Sequence, residues 1–156
     1  MTVVVNTSPL VALDRIGLLD ILPKLFGKLI RPQSVVDELR AGRSAYGGSD
    51  TLYNAEWLKT AEDPPEMVLR KELGAGETAV IALALKIKAD LVILDDLAAR
   101  NVAAELGLNV TGTLGVLLAA HKKGHLLDLQ GVVTELKASG FRISDQVIAS
   151  ILKFIG

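Results

Sequence analysis

The sequence predicts an α/β protein, a three-layer α/β/α sandwich around a mainly parallel sheet of about four to five strands. Two observations carry this. Short, continuous apolar runs such as Thr2–Val5 and Leu91–Leu94 have the composition of strands buried on both faces, as helices above and below a sheet require. Helical stretches, several of them opened by Ser or Pro and closed by Gly, alternate with these runs, which is the pattern of βαβ units.

Taken in order, Thr2–Val5 is a β-branched strand ending at Asn6. Ser8-Pro9 then has the form of a helix start, with Ser8 as N-cap and Pro9 as the first helical residue of a helix to Arg15. A short helix is expected around Leu18–Leu22, and Lys28–Arg31 fits a second strand. Pro32 opens a helix to about Ala41, which Gly42 ends. The polar, Gly-rich stretch from Gly42 to Asn54 is expected to be a loop. Trp57–Thr60 fits a third strand, and Pro64-Pro65 another short helix. Gly74-Ala75-Gly76 breaks the chain before a strongly apolar helix over Glu77–Lys88. Leu91–Leu94 ends at Asp95-Asp96, and a helix follows over Leu97–Leu106, closed by Gly107. Asn109–Thr111 is a short strand, and Gly112 leads into a helix ending near Gly124. Two amphipathic helices, around Leu127–Ala138 and Ser144–Ile155, make a helical C-terminal extension from about residue 126.

The 156 residues suit a single domain over 1–156, long enough to bury roughly 70% of its unfolded surface. Half of them are hydrophobic, which argues against disorder. Cys is absent, which excludes disulfides, thiolate zinc sites and a cysteine nucleophile. The start of the chain lacks a basic leader, and the apolar runs Ala79–Leu85 and Leu114–Ala120 are too short to span a bilayer, so a soluble, cytoplasmic protein is expected. A formal net charge of −1 argues against general, non-specific DNA binding.

Open α/β sheets bind ligands beyond the carboxyl ends of their strands. Asn6 falls there after the first strand, and Asp95 and Asp96 after the Leu91–Leu94 strand. One Asp is enough to cap the following helix, so the second calls for cations, donors or water. Such oxygen ligands suit Mg²⁺ or Mn²⁺. Glu77 is placed to complement its own helix dipole. Glu38 flanks the buried stripe Val35, Val36, Leu39, while Asp37 points almost opposite, towards solvent. Ser8 serves as N-cap or, alternatively, orients a metal ligand or contacts a phosphate. Thr111 and Thr113 bracket Gly112 and either cap the next helix or face a substrate. His121 and His125 have the spacing of a ligand pair, but Gly124 interrupts their helix, and service to the helix C-terminus is the better reading. Neither a G-x-S-x-G elbow nor a P-loop is present.

In order along the chain, Val3-Val4-Val5-Asn6-Thr7-Ser8-Pro9-Leu10, Val35-Val36-Asp37-Glu38-Leu39, Gly74-Ala75-Gly76-Glu77 with Ala79–Ala84, and Leu91–Leu94 with Asp95-Asp96 together resemble the PIN domain. The stretch Gly107–Leu114 is similar to that of a branch of short prokaryotic PIN-like proteins. The resemblance implies a metal-dependent ribonuclease using Mg²⁺ or Mn²⁺, of the kind found as VapC-type toxins of toxin–antitoxin pairs. It places the family's acidic quartet on Asn6, Glu38, Glu77 and Asp96, with Asp95 as an additional acid able to join Glu38, Glu77 and Asp96 around the metal. It gives the family's hydroxyl residue as Ser8 and a phosphate contact as Arg100, with Thr113 a further candidate on the substrate side. Its implied partners are an RNA substrate, a small antitoxin protein and a second copy of the chain in a homodimer. Asn6 departs from the pattern, which has Asp there; an amide oxygen can ligate a metal but carries no charge and cannot act as a base. The alternative is therefore a degenerate, non-catalytic protein that binds RNA, a nucleotide or a partner. The apolar positions Leu136, Val147, Ile148, Ile151, Leu152 and Ile155 of the extension are expected to pack on their own domain, with a dimer interface as the other use.

Overall fold

The structure, a computed structural model, describes residues 1–65 and 73–155. Among these residues five parallel strands form one sheet in the order β3-β2-β1-β4-β5: β1 (Val3–Val5), β2 (Leu29–Pro32), β3 (Leu58–Ala61), β4 (Leu91–Ile93) and β5 (Val110–Thr111). β1 lies at the centre, with Val4 opposite Ile30 on one side and Val92 on the other. Its three valines are fully buried, which explains the unbroken apolar run. Packed helices supply the cover: α1 (Thr7–Arg15), α2 (Ile21–Phe26), α3 (Gln33–Ala41), α6 (Ala75–Ile87), α7 (Leu97–Glu105) and α8 (Thr113–Lys122). Helix α6 buries Ala79, Val80, Ile81, Leu83 and Ala84, which accounts for its nearly uniform apolar composition.

The strand order fixes where a cleft opens. From β1 the chain steps outwards through β2 to β3, then returns across the sheet to β4 on the other side of β1. The order therefore reverses between β1 and β4, and beyond the carboxyl ends of those two strands the crossover helices diverge. Asn6 N–H donates to Ile93 O at 3.1 Å, so Asn6 sits at the mouth of this cleft, next to the end of β4.

Several expectations are corrected in detail. The stretch Gly42–Asn54 is not a plain loop: it holds two short helices, α4 (Arg43–Tyr46) and α5 (Asp50–Asn54). Gly47 and Gly48 take left-handed backbone between them, where glycine is favoured. Helix α5 is held from outside by buried Arg31, whose guanidinium donates to Leu52 O at 2.6 Å and to Tyr53 O at 3.0 Å. The first helix starts earlier than Ser8-Pro9 predicts: Asn6 stands at its N-cap and Ser8 lies inside the first turn. Gly74 is the N-cap of α6, so Ala75 and Gly76 belong to the helix instead of breaking the chain before it. The second helix runs later than expected, over Ile21–Phe26. The helix expected after Pro64-Pro65 falls at 66–72, outside the described residues.

The extension forms α9 (Leu129–Ala138) and α10 (Asp145–Ile155). Leu129, Val133 and Leu136 are buried, and Ile148 and Ile151 pack against the core, while Val147 is exposed and the Ile155 side chain lies outside the described residues. Among the described residues no helix is long and apolar enough to cross a membrane.

Candidate active site

A cavity of about 620 Å³ lies at the reversal point, and Asn6, Ser8, Glu38, Glu77, Asp95, Asp96 and Arg100 all line it. The sequence scatters these residues over six elements and junctions, and the fold gathers them.

Each acid is placed by a different helix start or body. Asp96 is the N-cap of α7, and its Oδ2 accepts from Ala99 N at 3.0 Å. Glu77 stands three residues after the N-cap Gly74, and its Oε1 reaches back towards that glycine in the manner of a capping box. Glu38, on α3, accepts from Thr7 Oγ1 at 2.8 Å through Oε2. Each of these three carboxylates thus commits one oxygen to the scaffold, and each has two. For Glu77 the second oxygen, Oε2, is buried and without a hydrogen-bond partner. Expected Asp37 and Glu38 orientations hold: Asp37 is exposed and bonded to Gln33 of its own helix.

Asp95 is differently employed. Its Oδ1 accepts from Thr113 N at 2.7 Å, and its Oδ2 from Thr113 Oγ1 at 2.7 Å and from Ser8 Oγ at 3.1 Å. It therefore supplies the cap that α8 lacks from Gly112 and ties the starts of α1 and α8 to the end of β4. Thr113 is fully buried behind this tether as the first residue of α8, its hydroxyl donating to Asp95, so the cap of α8 comes from Asp95 and not from Thr113. Ser8 also donates to Asp95 while lining the cavity. His121 Nδ1–H donates to Leu126 O, 2.8 Å away, and His125 is exposed beyond the helix; neither lines the cavity.

Asn6 is 6% exposed and takes the extended backbone of an N-cap, yet its side chain makes no cap hydrogen bond. Its Oδ1 is buried without a partner. The approach around it is close: a Cβ added to Gly76 would stand 2.5 Å from Glu38 Oε2 and 3.5 Å from Asn6 Oδ1. Gly76 is the residue that lets Glu38 lie against α6.

Charge crowding shows in Glu77. Burial pushes its carboxyl above the usual carboxylate value, and the nearby charges of Asp96 and, less strongly, Glu38 push further, against the pull of the Gly74 backbone. Among the described residues no three acidic or histidine side chains are drawn tightly enough together to count as a closed ligand set. They ring the cavity. Their chemistry nevertheless fits a divalent cation: two buried oxygens, Asn6 Oδ1 and Glu77 Oε2, lack donors, and the neighbouring carboxylates repel.

Sequence reasoning missed four contributors. Arg15 lines the cavity, seven residues after Ser8 on the same face of α1, a spacing that could have revealed it. Thr7 holds Glu38, and Phe141 and Arg142 arrive from the extension; no local pattern marks these.

A family model described as PIN domain matches residues 2–156. In a search of solved structures the chain is similar to a PilT N-terminus domain protein from the hyperthermophilic archaeon Sulfolobus solfataricus P2, with a TM-score of 0.60 and 18% identity over 77% of this chain and 93% of that one, a likeness of fold. No curated protein matches.

Proposed function

The chain belongs to the PIN-domain family, whose members are in general metal-requiring nucleases, and from that premise we propose that it is an endoribonuclease hydrolysing RNA phosphodiesters with Mg²⁺ or Mn²⁺. The observation that carries this reading is the convergence of Asn6, Glu38, Glu77 and Asp96 on one cavity at the strand-order reversal.

Glu38, Glu77 and Asp96, with the Asn6 amide oxygen, are the residues that would hold the ion. A divalent ion held there would neutralise phosphate charge and acidify an attacking water. A carboxylate of the set left free of the ion would receive the water's proton. Arg100 would hold a substrate phosphate, its Nη1 lying near Gly112 at the rim. Asp95, Ser8, Thr113 and Thr7 act as positioning residues, fixing the helix starts from which the ligands project. The test is cleavage of single-stranded RNA by purified protein: Mn²⁺-dependent cutting that vanishes in Asp96→Asn and in Glu77→Gln supports the site, and cutting that persists in both refutes it.

Asn6 itself favours a second reading, a degenerate site that binds RNA without cutting it. Retained RNA binding with no Mn²⁺ uptake by calorimetry would select it. A toxin role within a toxin–antitoxin pair is the finer form of the first reading. A neighbouring gene for a short DNA-binding protein, and growth arrest relieved by that protein, would support it. A homodimer, the assembly the family resemblance implies, would show as twice the chain mass in light scattering.

A further inference from the structure

The cavity has a second wall that the acidic set does not explain. Ser139, Gly140, Phe141 and Arg142 line it, and all four come from the link between α9 and α10. This link is held at both ends. Helix α9 is anchored by buried Leu129, Val133 and Leu136. At its end Gly140 N–H donates to Lys137 O at 3.1 Å and Phe141 N–H to Leu136 O at 3.3 Å, with Gly140 at φ 103°, a conformation that favours glycine. Beyond the link, Ile148 and Ile151 pack α10 against the core, and an exposed ion pair, Lys137 Nζ to Asp145 Oδ1 at 2.8 Å, joins α9 to the start of α10.

The result is a half-buried Phe and an exposed Arg presented side by side at the acidic cavity. Among the described residues no Trp or Tyr lines that cavity, so Phe141 is its aromatic face. The charges there are four carboxylates, on Glu38, Glu77, Asp95 and Asp96, against three guanidiniums, on Arg15, Arg100 and Arg142. Formally the cavity is negative without a divalent ion and positive with one, so a polyanion is admitted together with the ion. An aromatic face beside a cation in a groove is what binds unpaired nucleotides, by stacking on the base and pairing with the phosphate.

We propose that Phe141 and Arg142 are polynucleotide-binding residues, Phe141 stacking an unpaired base beside the cleaved phosphodiester and Arg142 holding an adjacent phosphate. This rests on the nuclease reading for the place of the cleaved bond, although binding is measured separately from cutting. Neither residue reads the sugar, so the shared chemistry is that of single-stranded RNA or DNA.

The experiment is fluorescence anisotropy of full-length protein with labelled oligouridylate, oligodeoxyuridylate and an abasic oligomer of equal length, in Ca²⁺, with oligomers checked to be intact. Phe141→Ala and Phe141→Leu, the second keeping apolar packing without a ring, are expected to weaken binding of the base-bearing oligomers roughly tenfold and leave the abasic one unchanged. Arg142→Gln is expected to weaken all three and to lower the slope of log affinity against log salt by about 0.7. The base-bearing oligomer bound more tightly identifies the sugar. Wild-type affinity in Phe141→Leu, or equal weakening of the abasic oligomer, overturns the proposal. If wild-type protein cuts RNA while the Phe141 variants bind normally, this wall fails and the nuclease stands. If it never cuts but binding remains dependent on the base and on Phe141, the nuclease fails and this wall stands.

Discussion

The Thr7 hydroxyl donates a 2.8 Å hydrogen bond to Glu38 Oε2, joining the first turn of α1 to α3 across the mouth of the cavity. Both residues stand on helices that would otherwise set their own positions, so this bond fixes where the Glu38 carboxylate lies. Residues that orient ligands in this way typically change metal affinity by about 10–100-fold when lost. Thr7→Val, nearly isosteric, is therefore expected to weaken Mn²⁺ binding about tenfold in calorimetry while the fold persists, and Thr7→Ser to restore it.

Gly76→Ala separates helix stability from site geometry. Gly76 stands in the first turn of α6, where Ala gains at most part of the about 1 kcal/mol by which it is favoured over Gly in a helix interior, but the new Cβ would fall 2.5 Å from Glu38 Oε2 and drive that carboxylate away. The expected outcome is a thermal midpoint equal to or above wild type together with at least about tenfold weaker Mn²⁺ binding. A variant that binds Mn²⁺ normally would show that Glu38 is not a ligand.

Asn6→Asp adds a charge where a buried amide oxygen has no partner. Hard divalent cations favour carboxylate over amide, so Mn²⁺ affinity is expected to rise about tenfold or more and RNA cleavage to accelerate. The same charge, next to Glu38 and with no metal present, is expected to lower the melting temperature in EDTA.

The raised Glu77 carboxyl makes stability depend on pH. The folded protein prefers this group protonated, so its contribution is fully present below the ordinary carboxyl value and is lost as pH rises through the higher folded-state value. In EDTA, Glu77→Gln is expected to be more stable than wild type at pH 8 and to lose that advantage as pH falls towards about 4. An advantage that stays constant with pH would contradict this origin of the shift.

How much of this was legible in the sequence depended on whether the signal was local. β1 and β4 announce themselves because central parallel strands must be apolar on both faces, and with them come Asn6 and Asp95-Asp96 at the strand ends. Glu38 could be put on the correct helix face from the stripe Val35, Val36, Leu39. The start of α1 was misplaced because Ser8-Pro9 is a strong local signature, yet Asn6 is equally able to stand at an N-cap and the strand leads straight into the helix. Helices α4 and α5 were hidden by glycines, since what holds them is tertiary: Asp14 accepting from Ser49 and Arg31 donating to the end of α5. The difference between Asp95 and Asp96 was not legible either, because it depends on Thr113 and Ser8 arriving from distant helix starts. Phe141 and Arg142 were out of reach for the same reason: periodicity reveals the helices of the extension but not where the link between them comes to rest.

The most direct measurement is an anomalous difference map from a crystal soaked in Mn²⁺. The account predicts at least one peak in the cavity, coordinated by Glu38, Glu77 and Asp96 with Asn6 Oδ1 beside it. A saturating soak that leaves this cavity without a peak, or puts Mn²⁺ only elsewhere on the molecule, would contradict it.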